Sequence, residues 1–509
     1  MTSTADSSTA PAPKRPRHEL DAPVATDTAT FCEAFRACRS MEAAVPNPAR
    51  RAHGQDSVTT VGRVHGDGPF SVGLLPSLFP ESLLRQARQE LGTLAMVHKS
   101  NDLYEFYQSP DLGSAAEALN LPALIQLRDT IYSPEFAGTM YDLTGIELHP
   151  RTVDLSAHRY PPGGYLLCHD DDIRRGKEGR RLAFIIYLVP EDWSAADGGA
   201  LDLFDKDRHG QPVEAVTSIL PQWNTFVFFE VGTTSFHQVA EVLGTRTRVS
   251  ISGWIHGPIP TSDDSPSDHA LVPRPLVPTT YPLDQFITTE YLTPGGMARI
   301  NQVFLDQSSI ELQGFLLPAV YETITAALCA APWIDRTTGP ANAMRYRRHL
   351  LAEGNKGSEV DASSATGAVL LSHLQRLFAS VMFAELLARF TNLDALAECT
   401  SEWRSFSPGD YTLLNDLCLE PEGLDVILSC PQPLVRSSEA TPPPFEWDET
   451  WQGAMHYIAD QETLLTLWPK SNTLSIVFRD TGTLRFVKYI NHRAQGTRTE
   501  LSVTFYERP

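Results

Sequence analysis

Apolar positions in the first third of the chain recur at helical spacing. Between Pro80 and Val97 they fall three or four residues apart behind a proline, which predicts a helix over that segment. The same spacing at Leu124, Leu127 and Ile131 predicts another helix.

From about Thr152 onward the pattern changes to short runs typical of strands. Turns rich in proline, glycine and aspartate separate the runs LAFIIYL (Leu182–Leu188), TFVFF (Thr225–Phe229) and the alternating VSISGWI (Val249–Ile255). Helices followed by such strands predict an α+β fold, in which helices pack on an antiparallel β-sandwich or barrel.

The rest of the chain repeats this organisation after a break. Residues 258–283 are rich in proline, serine and aspartate and are interpreted as a semi-extended linker. A helical stretch follows, which a polar loop interrupts near Glu353–Gly367, and a β-rich region closes the chain. The most apolar segment, Ala368–Phe390, is predicted to be a buried amphipathic helix, because its charged side chains exclude a membrane span.

Three blocks of sequence occur twice, in the same order and at similar intervals. They pair YPPGGYLLCHDD (160–171) with FSPGDYTLLNDL (406–417), LPQWNTF (220–226) with WPKSNTL (468–474), and GTRTRVSI (244–251) with GTRTELSV (496–503). Chance is a poor explanation for three ordered matches, so the chain is interpreted as two copies of one β domain.

The copies agree at scaffold positions and differ at titratable ones. The differences are His169 against Asn415, Asp171 against Leu417, and Arg248 against Glu500. The second copy also has no histidine near the place of His237. If these side chains served only the fold, both copies would need them, so the chemistry is predicted to lie in the first copy.

His169, Asp171 and His237 have the composition of a metal site. Because residues i and i+2 of a strand point the same way, His169 and Asp171 are expected to share one face. Two histidines and one carboxylate, with other positions left open, suit non-haem Fe(II) and oxygen chemistry. No catalytic residue is predicted beyond this metal centre. Four apolar neighbours are expected to line or support the pocket: Phe184, Ile186, Phe228 and Ile251.

Arg248 lies eleven residues past His237 and precedes Ser250 in an alternating strand. A guanidinium can hold a carboxylate through two charge-assisted hydrogen bonds, worth about 1.5–3 kcal/mol. The combination HxD…H…RxS therefore predicts an iron site with an anchor for a dicarboxylate co-substrate.

Composition narrows the class of protein. The 62 acidic and 41 basic residues leave a net charge of −21, which argues against a general nucleic-acid binder and favours a basic partner. The 7 cysteines form no CxxC pair, which favours a reducing compartment over a disulfide framework or a thiolate zinc site. No membrane segment is predicted. The basic cluster PKRPR (13–17) is of the nuclear-import kind, with a solvated charge run in a tail as the alternative.

Several long motifs resemble one family of enzymes. YPPGGYLLCHDD, RRLAFIIYLVPEDW, GGALDLF, SFHQVAEVL and RVSISGWIHG, together with NDLYEFYQS in the helical part, are similar to the 2-oxoglutarate- and Fe(II)-dependent prolyl 3-hydroxylases that modify a small-subunit ribosomal protein. The resemblance covers nearly the whole chain from about residue 29. The loop DIRRGKEGRR (172–181) departs from the family in being longer and more basic.

The resemblance implies a fold, cofactors and roles. It implies two tandem double-stranded β-helix (jelly-roll, cupin-like) domains, each flanked by helices: a disordered tail at 1–28, a catalytic domain at 29–257, the linker at 258–283 and a degenerate, non-catalytic domain at 284–509. His169, Asp171 and His237 would ligate Fe(II), and Arg248 would hold the distal carboxylate of 2-oxoglutarate. Tyr160 and Tyr187 match family tyrosines near the co-substrate.

The expected reaction is hydroxylation of a prolyl residue in a basic ribosomal protein, linked to translation and the oxygen response. Dioxygen is consumed, ascorbate is a candidate reductant, and the nucleus and cytoplasm are the expected compartments. Two alternatives stay open at this point. One is an oxygenase acting on alkylated nucleic acid, which only the basic loop favours, and the other is a non-catalytic, oxygen-responsive scaffold.

Overall fold

A computed structural model describes most of the 509-residue chain, as two compact units that span 1–264 and 265–509. The described residues are 63–65, 69–259, 272–278, 282–330, 339–349, 367–414, 421–434, 445–460 and 462–507. The predicted tail at 1–28, most of the predicted linker and nearly all of the predicted polar loop at 353–367 lie outside these ranges.

Among the described residues of the N-terminal unit, four α-helices precede the main strands. They are α1 (Glu81–Leu91), α2 (Leu112–Ala118), α3 (Pro122–Ile131) and α4 (Pro134–Thr144). Helix α4 shows how the sequence sets their bounds. The Ser133 side chain accepts a hydrogen bond from the Phe136 amide, Pro134 occupies the first turn, and Gly145 ends the helix in a left-handed conformation.

The strands of this unit form one antiparallel, 13-stranded sheet. They are β1 (Arg63–His65), β2 (Val72–Pro76), β3 (Val97–Ser100), β4 (Tyr104–Gln108), β5 (Val153–Tyr160), β6 (Tyr165–His169), β7 (Arg174–Arg175), β8 (Glu178–Tyr187), β9 (Leu201–Lys206), β10 (Pro212–Ile219), β11 (Thr225–Glu230), β12 (His237–Val239) and β13 (Arg248–Pro258). The main path runs β1-β2-β11-β8-β13-β5-β4-β6-β12-β9-β10, so the sheet has a half around β8 and β13 and a half around β12 and β9.

Side chains alternate between two cores along the central strands. On β8, Phe184 and Ile186 pack in the core formed with the helices, whereas Ile185 and Tyr187 pack in a second core with residues of β9 and β12. This alternation follows from the two-residue period of a strand. The four side chains expected to line the pocket (Phe184, Ile186, Phe228 and Ile251) all lie in the helix-facing core. The expectation is therefore wrong, because these side chains lie on the face of the sheet opposite to the one that carries Tyr187.

The C-terminal unit has the same layered organisation. Its helices are α5 (Thr289–Leu292), α6 (Pro294–Gln307), α7 (Pro318–Ala330), α8 (Gly367–Phe378) and α9 (Val381–Thr391). Its strands are β14 (Arg274–Pro275), β15 (Ser309–Gln313), β16 (Met344–Arg345), β17 (Arg347–Arg348), β18 (Leu396–Phe406), β19 (Tyr411–Thr412), β20 (Gly423–Ser429), β21 (Gln432–Pro433), β22 (Met455–Ala459), β23 (Glu462–Leu467), β24 (Thr473–Arg479), β25 (Leu484–Val487) and β26 (Gly496–Glu507). An 8-stranded sheet carries the helices, and a 3-stranded sheet, β23-β22-β25, shares a second core with it. The predicted α+β fold, with two double-stranded β-helices flanked by helices, is confirmed.

The internal repeat is visible in matching backbone details. Asn224 and Asn472, which the repeat aligns, both have positive φ angles, 51° and 46°. Each donates its side-chain amide to a backbone carbonyl, that of Phe79 at 2.9 Å in one unit and that of Leu316 at 2.8 Å in the other. Asparagine tolerates the left-handed region better than most residues, which explains its use at both turns.

The strand register corrects one part of the repeat alignment. Arg248 pairs with Tyr160, and Arg498 pairs with Phe406, the residue that the repeat aligns with Tyr160. Arg498, and not Glu500, is therefore the counterpart of Arg248. The sequence GTRT occurs in both copies and places the alignment two positions out of register. Because a strand has a period of two residues, this shift does not change which face of the sheet each side chain is assigned to.

Two predicted helices have different bounds in the structure. The helix expected over 80–97 is α1 and ends before Gly92, and Val97 begins β3. The segment Ala368–Phe390 contains two helices, because Ser380 caps a new helix by accepting from the Phe383 amide. The helix at Leu124, Leu127 and Ile131 and the three predicted strands are confirmed.

Two statements concern only the part of the chain that the structure describes. Among its helices, none is both long enough and apolar enough to cross a membrane. The cysteines in these ranges (Cys168, Cys329, Cys399 and Cys430) are all free thiols. In the predicted linker, Arg274–Pro275 pairs with β18 as a short strand.

Candidate metal centre and co-substrate pocket

His169, Asp171 and His237 converge on one point in the N-terminal unit. Their ligand atoms all lie within 4.8 Å of one another. Nε2 of His169 is 3.4 Å from Oδ1 of Asp171, and Nε2 of His237 is 3.3 Å from Oδ2. The three predicted ligands are thus brought together at the separations that binding of one ion requires.

The backbone brings the ligands together in a different way from the one expected. His169 ends β6 and pairs directly with His237, which begins β12. Asp171 lies beyond the end of β6 and has a φ of +67°. Its carboxylate therefore reaches the histidines through a left-handed turn, and not by alternation within a strand. A positive φ at a non-glycine residue is strained and is often found at functional sites.

Backbone carbonyls orient both imidazoles. Nδ1 of His169 donates to the Leu167 carbonyl at 2.7 Å, and Nδ1 of His237 donates to the Ser235 carbonyl at 2.8 Å. Since a carbonyl only accepts, each Nδ1 carries a proton, so Nε2 is the nitrogen that each imidazole can offer to a metal ion. This is the arrangement in which outer hydrogen bonds fix metal-ligating histidines.

Asp171 is buried against a tryptophan. Nε1 of Trp254 donates to Oδ2 of Asp171 at 2.9 Å, and the guanidinium of Arg180 stacks on the indole at 3.6 Å from the ring centre. Burial by itself would raise the pKa of Asp171, but His169 and His237 outweigh it and hold this pKa well below the ordinary value. Asp171 is therefore a carboxylate, the form in which it ligates a cation.

Arg248 is buried between two aromatic rings with one hydrogen-bonding group unused. It is 1% exposed, and it donates Nε to the Gly199 carbonyl at 2.9 Å and Nη1 to Ser250 Oγ at 3.2 Å. Its Nη2 has no hydrogen-bond partner among the described residues. Gly199 has a φ of +68°, and a Cβ there would come 2.8 Å from Cδ of Arg248, so only glycine fits. A buried cation with an unpartnered N–H is suited to an anionic ligand.

The two predicted tyrosines lie on either side of Arg248. The guanidinium carbon is 5.0 Å from the Tyr160 ring centre and 5.1 Å from that of Tyr187. The Tyr187 hydroxyl is buried beside the Arg248 guanidinium, and no hydrogen bond of good geometry satisfies it in the described ranges. Burial raises the pKa of both phenols, so each is neutral. Burial, with a smaller effect from Arg248, also lowers the pKa of the nearby His158 to about 4.

Sequence reasoning missed Trp254 and Gly199. Trp254 had a usable signal, because it follows Arg248 by six residues on the same alternating strand and therefore lies on the same face. Gly199 had none, because its carbonyl reaches Arg248 from the turn before β9, which is distant in the sequence.

The basic loop at 172–181 is largely engaged within the protein. Arg174 pairs with Asp172 at 2.6 Å, and Arg181 pairs with Glu230 at 2.8 Å. Arg180 stacks on Trp254. The loop was the one sequence feature that favoured a nucleic-acid target, and these contacts weaken that alternative.

Sequence comparisons agree with this geometry. The profile of the 2OG-Fe(II) oxygenase superfamily matches residues 155–256, which contain all the site residues described above. The Prolyl 3-hydroxylase OGFOD1 of Xenopus laevis is 34% identical over 469 residues, which cover 84% of this chain and 84% of that protein. This chain belongs to the prolyl 3-hydroxylase family of 2-oxoglutarate- and iron-dependent oxygenases.

Other family members match over similar lengths. The Prolyl 3-hydroxylase OGFOD1 of Mus musculus is 32% identical over 487 residues, covering 84% of this chain and 85% of its own. The Prolyl 3,4-dihydroxylase OGFOD1 of Ostreococcus tauri is 31% identical over 504 residues, covering 85% and 94%. A profile named Oxoglutarate and iron-dependent oxygenase degradation C-term matches residues 279–508. The resemblance seen in the sequence is confirmed, and the protein is an Fe(II)- and 2-oxoglutarate-dependent oxygenase.

The described residues fit both cofactors. Two neutral imidazoles and one carboxylate are the donor set that non-haem Fe(II) oxygenases use. The unpartnered Nη2 of Arg248 and hydroxyl of Tyr187 are donors that a carboxylate group of 2-oxoglutarate can satisfy.

Proposed function

We propose that this enzyme hydroxylates carbon 3 of a prolyl residue in a basic small-subunit ribosomal protein. The observation that carries the proposal is the convergence of His169, Asp171 and His237 beside a buried Arg248 with an unpartnered Nη2. The names of its family members supply the prolyl target and position 3.

Each site residue has a distinct task in this reaction. His169, Asp171 and His237 would hold Fe(II), which together with 2-oxoglutarate and dioxygen supplies the oxidising power for inserting one oxygen atom into a C–H bond, with succinate and carbon dioxide as the other products. Arg248 would hold the distal carboxylate of 2-oxoglutarate, with Tyr187 as a second donor and Tyr160 packed against the guanidinium.

Burial of these groups keeps water from the reacting atoms. The His237 side chain is 6% exposed, and the ring of Phe229 packs edge-on against its imidazole with centres 4.7 Å apart. Arg248 and Tyr187 are almost entirely buried. Exclusion of water strengthens the electrostatic interactions with the co-substrate and limits side reactions with water.

The acidic character of the chain supports a basic protein partner. A net charge of −21 steers lysine- and arginine-rich proteins toward the surface, although it does not select one of them. Ascorbate is proposed as the reductant that restores Fe(II), and the nucleus and cytoplasm as the compartments. Replacing Lys14, Arg15 and Arg17 by Ala should lower the nuclear fraction of the protein if PKRPR acts in import.

Mass spectrometry of candidate substrates tests the proposal. Small-subunit ribosomal proteins are incubated with the enzyme, Fe(II), 2-oxoglutarate and air, and a gain of one oxygen atom on a prolyl residue is expected. His237→Ala should abolish the gain, whereas His149→Ala, which changes a half-exposed histidine of the same unit paired with Glu178, should leave it intact. Turnover with RNA and not with any ribosomal protein would refute the proposal, as would a cellular effect that His237→Ala preserves in full.

A further inference from the structure

The C-terminal unit keeps the arginine of the co-substrate pocket. Arg498 pairs with β18 as Arg248 pairs with β5, and it is 2% exposed. It donates Nη1 to the Gly453 carbonyl at 2.8 Å, as Arg248 donates Nε to the Gly199 carbonyl. Gly453 has a φ of +82° and lies two residues before β22, as Gly199 lies two residues before β9.

A carboxylate of the protein itself lies on this arginine. Ser250 pairs with the last residue of β8, and Glu500 pairs with the last residue of β20, so the serine of the N-terminal pocket is a glutamate here. Oε2 of Glu500 is 2.7 Å from both Nε and Nη2 of Arg498. Oε1 accepts from Nε of Arg404 at 2.6 Å.

The other contacts of a co-substrate are absent at the equivalent positions. Phe406 stands in the place of Tyr160, and Ser429 in that of Tyr187. The register of β25 on β22 puts Arg485 in the place of the metal ligand His237, and its Nη1 lies 2.7 Å from Asp425. Arg485, a cation, thus occupies the place of the metal ligand His237. Glu500, an anion, occupies the place where the N-terminal unit would bind the carboxylate of the co-substrate.

We propose that the C-terminal unit contains a carboxylate-binding site which Glu500 closes from within, in the position where a co-substrate carboxylate lies on Arg248. Glu500 is fully buried, and Arg498 and Arg404 are nearly so. Removing Glu500 would leave two buried guanidinium groups without the carboxylate they share, which is strongly destabilising, so the unit needs an anion there. Because Glu500 provides this carboxylate, the C-terminal unit folds independently of the 2-oxoglutarate concentration.

Chemical rescue of Glu500→Ser tests this inference on the full chain. The substitution removes a methylene and a carboxylate, which acetate can replace, and it restores the RxS pattern of the N-terminal pocket. We expect a lower midpoint of thermal unfolding, and a rise of about 2–4 °C at an acetate concentration about five times its Kd, with a logarithmic increase at higher concentrations. Chloride at equal ionic strength, and neutral acetamide, should give no such rise. Wild type and Glu500→Gln, whose amide still fills the site, should respond to acetate as they do to chloride.

A second variant is needed because Glu500→Ser leaves Arg498 and Arg404 without a carboxylate, and this can prevent folding. Arg404 is the counterpart of His158, so Arg404→His with Glu500→Ser reproduces the charge of the N-terminal pocket. Acetate should stabilise this double variant, or raise its refolding yield, and adding Arg498→Met should remove the effect. The inference is refuted if acetate helps neither Glu500→Ser nor the double variant more than it helps wild type, or if the effect survives Arg498→Met.

Discussion

Trp254 donates its indole N–H at 2.9 Å to Oδ2 of Asp171, the carboxylate oxygen that also faces His237. This contact fixes the orientation of a ligand whose backbone is already in a left-handed turn. Trp254→Phe keeps the aromatic face on which Arg180 stacks and removes only the donor. We expect metal affinity to fall by about 10- to 100-fold, as for other outer hydrogen bonds to metal ligands.

This expectation is measured by titrating Co(II) into the protein without 2-oxoglutarate or substrate. Trp223→Phe is the matched control, because Trp223 donates its indole N–H to Glu81. Equal affinities for the two variants would show that the Trp254 contact does not position Asp171.

Arg248→Lys should weaken 2-oxoglutarate binding although it keeps the positive charge. The three N–H groups of lysine lie on one nitrogen, which cannot reach Gly199, Ser250 and a carboxylate at the separate positions that Nε, Nη1 and Nη2 of the guanidinium occupy. Loss of charge-assisted hydrogen bonds worth about 1.5–3 kcal/mol raises Kd by about 10- to 100-fold. Isothermal titration with Mn(II) in place of iron measures this. Arg498→Lys, at the equivalent position of the C-terminal unit, should leave Kd unchanged, and a comparable loss there would contradict the assignment.

Tyr187→Phe should have opposite effects on stability and on binding. The hydroxyl is buried beside Arg248 without a hydrogen bond of good geometry in the described ranges, so its removal is expected to raise the free energy of unfolding of the ligand-free protein by at most about 1 kcal/mol. The same change should raise Kd for 2-oxoglutarate. Tyr411→Phe is the contrasting case, because that buried hydroxyl donates to the Ala341 carbonyl at 2.7 Å and its loss should destabilise. Destabilisation by Tyr187→Phe together with unchanged binding would remove Tyr187 from the pocket.

Asp410 should make stability depend on pH. Burial raises its pKa to about 6, against the smaller opposing effect of Arg345. Since an aspartate in the unfolded chain has a pKa of about 4, the folded protein binds the Asp410 proton more tightly than the unfolded chain does. The contribution of this proton to the free energy of unfolding is therefore at its full value below about pH 4. The free energy of unfolding should therefore fall between about pH 4 and pH 6, by up to about 3 kcal/mol. Denaturant unfolding across this range measures the slope, and Asp410→Asn should flatten it; an unchanged slope in that variant would assign the effect to another group.

Much of the site could be predicted because its chemistry lies in residue types and spacing. HxD, a distant histidine and an RxS strand name the residues that converge in the structure, and the repeat indicated in which half to look. Strand alternation gave the wrong reason for the convergence of Asp171 with the histidines, because Asp171 lies in a turn. It also gave the wrong orientation for Phe184 and Ile186, which face the helices and not the site. Local pattern gives the period of a strand, but which of its two faces meets the site depends on what packs on each side.

The amino-acid sequence by itself determined the duplication of the fold, and it indicated His169, Asp171 and His237 as a candidate donor set and Arg248 as a candidate anchor. Tertiary structure alone decided that Trp254 binds Asp171, that Gly199 receives Arg248, and that Arg498 is already neutralised by Glu500. The physical reason is that ligand chemistry belongs to single side chains, whereas burial and partnership arise only when strands distant in sequence pair in a definite register.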